Sequence, residues 1–128
     1  MTLESLTKKA DIDRVMKTGK SARDPLCGMR YLPNDKGAMR IVFLIGTKLD
    51  KRAVVRNRLR RQYRHIVNSL IAAPGPSLDI IFFPSKQAIE TSYEERFQSL
   101  QALLAKYQLI TKKDGGSPNT RVSSNIVT

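Results

Sequence analysis

The side chains most able to do chemistry in this sequence are positively charged and are concentrated between Lys51 and His65. That stretch of fifteen residues contains one lysine, six arginines and no acidic residue. The cations are Lys51, Arg52, Arg56, Arg58, Arg60, Arg61 and Arg64. A guanidinium group binds phosphate through two parallel N–H bonds and stacks on flat rings, which an ammonium group does not do. The chemistry indicated is recognition of a phosphate backbone.

The spacing of these cations argues against a helix face that is merely exposed to solvent. Apolar residues repeat with helical period over residues 53 to about 72, and Pro74-Gly75-Pro76 forbids continuation. Five arginine pairs then stand three or four residues apart: Arg52/Arg56, Arg56/Arg60, Arg60/Arg64, Arg58/Arg61 and Arg61/Arg64. At roughly 0.2 to 0.5 kcal/mol per pair, they destabilise the helix by about 1 to 2.5 kcal/mol. A nucleic acid would relieve this repulsion, so we expect nucleic-acid contact.

The predicted helix has an apolar side and a cationic side. At about 100° per residue, the apolar stripe consists of Val55, Leu59, Gln62, Ile66 and Leu70. Asn57 lies within the cationic arc, where its amide can bond a phosphate, a 2′-hydroxyl or a base edge, or simply meet solvent. The pattern fits irregular RNA or a DNA major groove, although neither a dimerisation heptad nor a helix-turn-helix pairing favours DNA.

Residues for hydrolytic catalysis are not grouped in the sequence. Phosphodiester hydrolysis needs metal ligands or an acid–base pair, and no carboxylate cluster accompanies the one histidine, His65. Asp11 and Asp13 would point about 200° apart on a helix and would not share a metal. We interpret His65 as a surface or interface histidine, with a catalytic base as the alternative. Cys27 is interpreted as a small core residue.

The elements that must position the basic helix predict one α/β unit. Besides that helix, helices are predicted over residues 11–18 and 92–107, and strands over residues 26–32, 39–47 and 78–83. Turn residues at 33–37 predict a hairpin of the first two strands, and the apolar run at 41–45 makes the second a central strand. The order α-β-β-α-β-α indicates a two-layer α/β sandwich of helices on a small mixed sheet. We expect one domain over residues 1–110 and a disordered basic tail over residues 111–128.

The chain as a whole is small and strongly basic. Its 128 residues carry 23 Lys and Arg against 11 Asp and Glu, a formal charge of +12, which indicates a polyanionic partner. The longest apolar run is far shorter than the roughly 20 residues that span a membrane. The N-terminus lacks the features of a secretory signal. We therefore expect a cytoplasmic protein without membrane association.

One segment resembles the signature of the bacterial ribonuclease P protein subunit: Lys48-Leu-Asp-Lys-Arg-Ala-Val-Val-Arg56-Asn57-Arg58-Leu-Arg-Arg-Gln-Tyr-Arg64. The family signature is Arg-Asn-Arg on a helix, preceded by an alanine and basic residues and followed by a basic pair and a further arginine. Other features agree, including a strand led by Arg40, a later strand followed by Lys86, and Thr91-Ser-Tyr-Glu-Glu before the last helix. The resemblance covers about residues 6 to 110.

The resemblance implies a ribosomal-protein-like fold with a left-handed crossover that places the Arg-Asn-Arg helix on the sheet. It also implies that a catalytic RNA with bound Mg²⁺ removes the 5′ leader of precursor tRNA, while the protein is an accessory subunit without catalytic residues. The implied partners are this RNA and precursor tRNA. No organic cofactor, protein-held metal or obligate protein partner is implied.

Two binding sites follow from the charge pattern and the resemblance. The RNA-docking residues are Lys51, Arg52, Arg56, Asn57, Arg58, Arg60, Arg61 and Arg64. A cleft between the first helix and the sheet would hold the leader, and its matching positions are Ile12, Met16, Arg30, Lys48 and also Arg56. The family commonly has phenylalanine where Ile12 and Met16 stand, and these aliphatic side chains cannot stack on bases. Plain core packing is the alternative for both.

We therefore predict a subunit of ribonuclease P that binds the catalytic RNA and the leader and so promotes endonucleolytic 5′ maturation of tRNA. The alternative is a ribosomal or general RNA-binding structural protein, and a DNA-binding domain ranks third. The first function requires rate enhancement with one RNA, whereas the other two require only binding.

Overall fold

The sheet is organised around the strand at residues 78–84. The computed structural model describes residues 3–71 and 77–106. The elements are β1 (Leu3–Ser5), α1 (Lys9–Thr18), β2 (Lys20–Asp24), β3 (Cys27–Pro33), β4 (Met39–Phe43), α2 (Ala53–Leu70), β5 (Leu78–Pro84), α3 (Lys86–Ile89) and α4 (Tyr93–Lys106). The strands form one sheet in the order β1-β4-β5-β3-β2. β5 runs parallel to β4 and antiparallel to β3, β1 pairs parallel with β4, and β2 pairs antiparallel with β3.

The six predicted elements are present in the predicted order, with three more that the sequence did not indicate. α2 begins at Ala53 as predicted, and β5 and α4 match their predicted ranges within a residue or two. β2 was not predicted because Ala22 is its one buried residue among five, which leaves no alternating pattern. β1 and α3 have three and four residues, too few for a periodicity.

The predicted hairpin of β3 and β4 is wrong because β5 lies between these strands and pairs with both. β5 is buried at six of its seven residues, and a strand buried on both faces is stable when neighbours satisfy both of its edges. The centre of the sheet is therefore β5, while β4 is the interior strand next to it. The turn after β3 docks on the start of β5, where the Asn34 N–H donates to the Ser77 carbonyl at 3.0 Å.

Helices cover both faces of the sheet. A larger core joins one face to α2 and α4, and it includes Cys27, as predicted, together with Phe82 and Leu103. A smaller core under α1 is built from Leu6, Val15 and Ile81. The α/β class and the mixed sheet are confirmed, and α1 adds a partial third layer to the predicted sandwich.

Some predictions about the fold extend beyond these observations. β4 and β5 are parallel neighbours connected through α2, and the left hand of that crossover stays a prediction, as does the single domain over residues 1–110. The predicted tail at 111–128 lies outside the described residues. In the described ranges, no helix combines the length and apolarity needed to cross a bilayer.

Candidate nucleic-acid interface

The apolar face of α2 fixes the helix on the larger core. Its buried side chains are Val55, Leu59, Tyr63, Ile66 and Val67. Gln62 and Leu70, predicted to belong to this stripe, are half-buried. The stripe is rotated toward Tyr63 because α2 packs on α4 as well as on the sheet. Gln62 instead accepts a hydrogen bond from the Arg96 guanidinium of α4.

The other side of α2 and the turn before it present the predicted cations. Lys51, Arg52, Asn57, Arg58, Arg60 and Arg61 are exposed. Arg56 and Arg64 are half-buried. We call these eight residues the basic surface. α2 itself contains no acidic residue, so its positive charge is not balanced from within the helix.

One acidic residue does reach the basic surface, from the turn that precedes α2. Asp50 accepts hydrogen bonds from Arg52 Nε at 3.0 Å, from a terminal guanidinium nitrogen at 2.8 Å and from the Arg52 backbone N–H at 2.8 Å. The side-chain hydrogen bond from Arg52 lowers the pKa of Asp50 to about 2. Arg52 is therefore ion-paired, although 70% of its side chain remains exposed. The sequence argument missed this pair because Asp50 lies one residue before the acid-free stretch.

Two further members of the basic surface are held by oxygen atoms of the protein. Arg56 donates to the carbonyls of Asp50 at 3.0 Å and Lys51 at 2.9 Å. Arg60 donates to the Asn57 side-chain oxygen at 3.0 Å and to the Ile45 carbonyl at 2.9 Å. These bonds fix both guanidinium groups without cancelling their charge. Asn57 is thereby a partner of Arg60 rather than a free amide.

The other four cations of the basic surface are uncommitted. Within the residues that the structure describes, the side chains of Lys51, Arg58, Arg61 and Arg64 make no hydrogen bond or ion pair. Lys51 lies in the loop before α2, and the three arginines lie within the first three turns of the helix. A polyanion can bind these four side chains without first displacing an internal partner, whereas Arg52, Arg56 and Arg60 each have one.

Three of the predicted cleft residues, Ile12, Met16 and Arg30, lie on the face of the sheet that carries α1. Lys48 and Arg56 do not, and Arg56 belongs to α2, which packs on the opposite face. Ile12 is half-buried against the smaller core, so core packing describes it, while Met16 is 39% exposed. Arg30 donates to the Gly19 carbonyl at the end of α1 at 3.2 Å. Lys48 lies apart, in the loop after β4, where with Arg60 it lines a surface depression of about 540 Å³. The structure thus groups Ile12, Met16 and Arg30 and places Lys48 beside the basic surface.

A buried ionic network holds α1 on that face. Asp79 of β5 is fully buried and accepts two hydrogen bonds from Arg40 of β4, both at 2.7 Å. Arg40 also donates to Asp11 of α1 at 3.2 Å, and Arg14 of α1 donates to Asp79 at 3.3 Å. The hydrogen bond to Asp79 raises the pKa of Arg40. The signal in the sequence was an aspartate inside an apolar run, a position that demands a cationic partner.

A buried arginine ties α2 to the segment before α4. Arg96 is 5% exposed and donates to the carbonyls of Ala88 at 3.1 Å and Thr91 at 2.6 Å as well as to Gln62. Burial lowers its pKa. The basic surface is therefore carried on a helix that is braced from its opposite side.

His65 is an exposed residue of α2 whose Nδ1 lies 2.9 Å from the Tyr93 hydroxyl. Among residues 3–71 and 77–106, no three His, Cys, Asp or Glu side chains stand close enough together to hold a metal ion.

The arrangement agrees with comparisons to known proteins. The family model for ribonuclease P matches residues 2–108 of this chain. The chain belongs to the ribonuclease P protein family. The ribonuclease P protein component of Cyanothece sp. is 29% identical over 121 residues, covering 82% of this chain and 92% of that protein. The component of Microcystis aeruginosa is 31% identical over 112 residues, covering 84% and 93%.

The same family appears among solved structures. The ribonuclease P protein of Staphylococcus aureus superposes with a TM-score of 0.74 at 23% identity, covering 84% of this chain and 97% of that one. This likeness shows that the fold is that of the ribonuclease P proteins. The family predicted from the Lys48–Arg64 signature is confirmed, and with it a place among proteins of tRNA processing.

Proposed function

We propose that this protein is the accessory subunit of ribonuclease P, which binds the catalytic RNA and the 5′ leader of precursor tRNA and promotes endonucleolytic removal of the leader. The basic surface supports this role most directly. It offers four uncommitted cations, Lys51 in the turn before α2 and Arg58, Arg61 and Arg64 on α2, and the larger core and Arg96 hold this helix in place. A preformed cationic surface binds structured RNA at little cost in conformational entropy.

The contribution of the protein is binding rather than bond cleavage. Cations on α2 would offset phosphate repulsion between the catalytic RNA and its substrate, so that both associate at moderate salt. Contact with the leader would favour precursor over product, because the product lacks that segment. We assign these two tasks to opposite faces of the sheet: RNA docking to the basic surface, and leader binding to the face with Met16 and Arg30.

We assign Mg²⁺ to the catalytic RNA. Mg²⁺ prefers oxygen ligands in octahedral geometry, and the neighbouring carboxylates Asp11 and Asp79 are both hydrogen-bonded by Arg40. These residues do not fit a magnesium site. The proposed partners are therefore the catalytic RNA and precursor tRNA, in the cytoplasm, without an organic cofactor, a membrane or an obligate protein partner.

Cleavage of precursor tRNA at low Mg²⁺ tests the proposal. A bacterial ribonuclease P RNA is assayed alone, with the wild-type protein, and with an Arg58→Gln/Arg61→Gln variant. Wild-type protein should restore cleavage at the correct 5′ position, and the variant should need a higher protein concentration to do so. A Lys8→Gln/Lys36→Gln variant, which removes two exposed charges away from α2, should behave as wild type.

The alternative, a general RNA-binding structural protein, predicts a different result in the same assay. Such a protein would bind the RNA and leave its cleavage rate unchanged. If neither the RNA from the same source nor a heterologous ribonuclease P RNA is stimulated, the accessory-subunit role is wrong.

A further inference from the structure

Three aromatic rings stand in a row where α2 meets the start of α4. The ring centroids of His65 and Tyr93 are 6.2 Å apart, and those of Tyr93 and Phe97 are 6.3 Å apart. The Tyr93 hydroxyl lies 2.9 Å from His65 Nδ1 and so connects the two helices. We call His65, Tyr93 and Phe97 the aromatic row. None of these rings belongs to the basic surface.

The aromatic row is open to solvent on its outer side and supported on its inner side. Phe97 packs against the larger core, whereas Tyr93 is 36% exposed and His65 is exposed. The Ser92 N–H donates to the Glu95 carboxylate at 2.9 Å, and the Glu95 N–H donates to the Ser92 hydroxyl at 3.1 Å. This reciprocal pair caps α4 at Tyr93. The Tyr93 ring is therefore held in place before a ligand binds, which lowers the entropic cost of binding.

The aromatic row continues a stripe of uncommitted arginines on α2. Arg58, Arg61 and His65 are three and four residues apart, so they lie on one side of the helix. Burial and, to a smaller extent, the nearby Arg58 charge lower the pKa of Arg96, which places Arg58 on the side of α2 that faces α4. Arg61 precedes His65 by about 6 Å along the helix axis, and Arg58 precedes it by about 10 Å. An RNA strand that follows the stripe meets two guanidinium groups and then the exposed rings.

The charges at the aromatic row favour a base at Tyr93 and a phosphate on the side of α2. Glu94 follows Tyr93, is exposed and forms no ion pair with the residues that the structure describes. Its carboxylate would repel a phosphate placed beside the ring, whereas a neutral base carries no charge to repel. Arg61, one helical turn before His65, supplies the positive charge that a phosphate needs. A nucleotide bound here is thereby oriented.

We propose that the aromatic row binds one unpaired base of the catalytic RNA, stacked on the Tyr93 ring beside His65, while Arg61 binds the adjoining phosphate. Bases of unpaired RNA segments are recognised by stacking on side chains such as tyrosine and histidine. The occupant is the catalytic RNA because the row is continuous with the basic surface and lies on the opposite face of the sheet from α1. This inference rests on the proposed docking of that RNA on α2.

Binding of the protein to the catalytic RNA, without precursor tRNA, tests the site. Tyr93→Leu removes the ring and keeps an apolar side chain against Phe97. The loss of stacking on an aromatic ring should lower the affinity about 5- to 150-fold. The dependence of the affinity on salt should remain that of the wild type, because no phosphate contact is lost. Arg58→Gln/Arg61→Gln should instead weaken that dependence, so the two kinds of contact are distinguishable.

Probing the 2′-hydroxyl reactivity of each nucleotide in the catalytic RNA locates the stacked base. At protein concentrations that saturate the RNA, one unpaired nucleotide should be protected by the wild type and reactive in the complex with Tyr93→Leu. Tyr93→Phe keeps the ring without its hydroxyl and should retain the protection. His65→Leu removes the neighbouring ring from α2 and should raise the reactivity of the same nucleotide.

Two controls separate the loss of stacking from damage to the fold. Gln101→Leu alters an exposed residue of α4 two turns beyond Tyr93, and both its affinity and its protection pattern should match the wild type. Urea denaturation should give Tyr93→Leu the same free energy of unfolding as the wild type. If Tyr93→Leu is destabilised, His65→Leu decides, because it leaves α4 intact.

The outcomes separate this site from the docking on which it depends. If Tyr93→Leu and His65→Leu bind and protect the RNA as the wild type does, while Arg58→Gln/Arg61→Gln binds more weakly, the aromatic site is wrong and docking through α2 stands. If none of these variants weakens binding, docking through α2 is wrong as well. If Tyr93→Leu weakens only the binding of precursor tRNA to the holoenzyme, the catalytic RNA is not the occupant and the inference is wrong.

Discussion

Asp79 is the residue on which the position of α1 depends. Replacing it with Asn keeps the shape and removes the charge that Arg40 and Arg14 contact from β4 and α1. Because this leaves the largely buried Arg40 guanidinium without its closest counter-ion, Asp79→Asn should reduce the free energy of unfolding by about 3 kcal/mol. Urea denaturation measures the change.

The matched control for Asp79 is another aspartate in an ion pair. Asp13→Asn breaks the ion pair with Lys9, in which the Asp13 side chain is 49% exposed and the Lys9 side chain 89%. The substitution should lower the free energy of unfolding by less than about 1 kcal/mol. Equal effects of the two substitutions would contradict a special role for the buried network.

Asp50 should become protonated at a lower pH than a free aspartate. Its pKa is lowered to about 2 by the hydrogen bond from Arg52, compared with about 3.9 in an unfolded chain. A lowered pKa stabilises the folded turn above pH of about 3.9, and the contribution is lost as the pH falls through about 2. A carboxyl NMR titration should therefore show the Asp50 midpoint near 2. A midpoint near 4 would mean that Arg52 is unpaired in solution.

The candidate site could be predicted from sequence to the extent that it consists of charges on a helix. Helical periodicity placed Arg58, Arg61 and Arg64 on one side of α2, and the structure confirms that side. Periodicity carries no information on tertiary partners, such as the Ile45 carbonyl that holds Arg60.

At the scale of elements, α2 should set the salt dependence of RNA binding. If the basic surface neutralises about five or six phosphates, the logarithm of the binding constant should fall with the logarithm of salt concentration at a slope of roughly −3.5 to −5.5. Arg58→Gln/Arg61→Gln removes two contacts and should flatten the slope by about 1.4 to 1.8. Filter binding over a range of salt concentrations gives both values.

The charge-matched variant Lys8→Gln/Lys36→Gln separates local contact from net charge. Its slope should equal that of the wild type, since neither lysine belongs to the basic surface. Equal flattening by both variants would indicate a diffuse field of the whole chain rather than docking through α2.

The elements themselves differ in how far the sequence determines them. α2 is long, periodic and followed by prolines, so its beginning at Ala53 was predictable. The pairing of β3 and β4 was predicted incorrectly because turn residues at 33–37 also suit a loop between strands that are not neighbours. The strand that separates them is β5, which follows much later in the chain. Local sequence patterns do not indicate pairing between strands so far apart in sequence.

At the scale of the whole molecule, Cys27 reports on global opening. It is 1% exposed in the larger core, and burial raises its pKa to about 12. At pH 8 the folded protein should therefore react with a thiol reagent only through unfolding, since the thiolate is the reactive form. Labelling should be complete within the mixing time in denaturant and slow in native buffer. Rapid labelling in native buffer would reveal local fraying of β3 from β5.

The central position of β5 in the sheet also determines when the chain can fold during its synthesis. Without β5, the other strands that the structure describes form two separate pairs, β1 with β4 and β2 with β3, and no strand pairing joins one pair to the other. A ribosome would thus release the whole arginine-rich helix before the strand that completes the sheet has been made. The nascent chain therefore exposes its most basic segment before the larger core is complete. Only when β5 and α4 have also been made does that segment become one face of a folded protein.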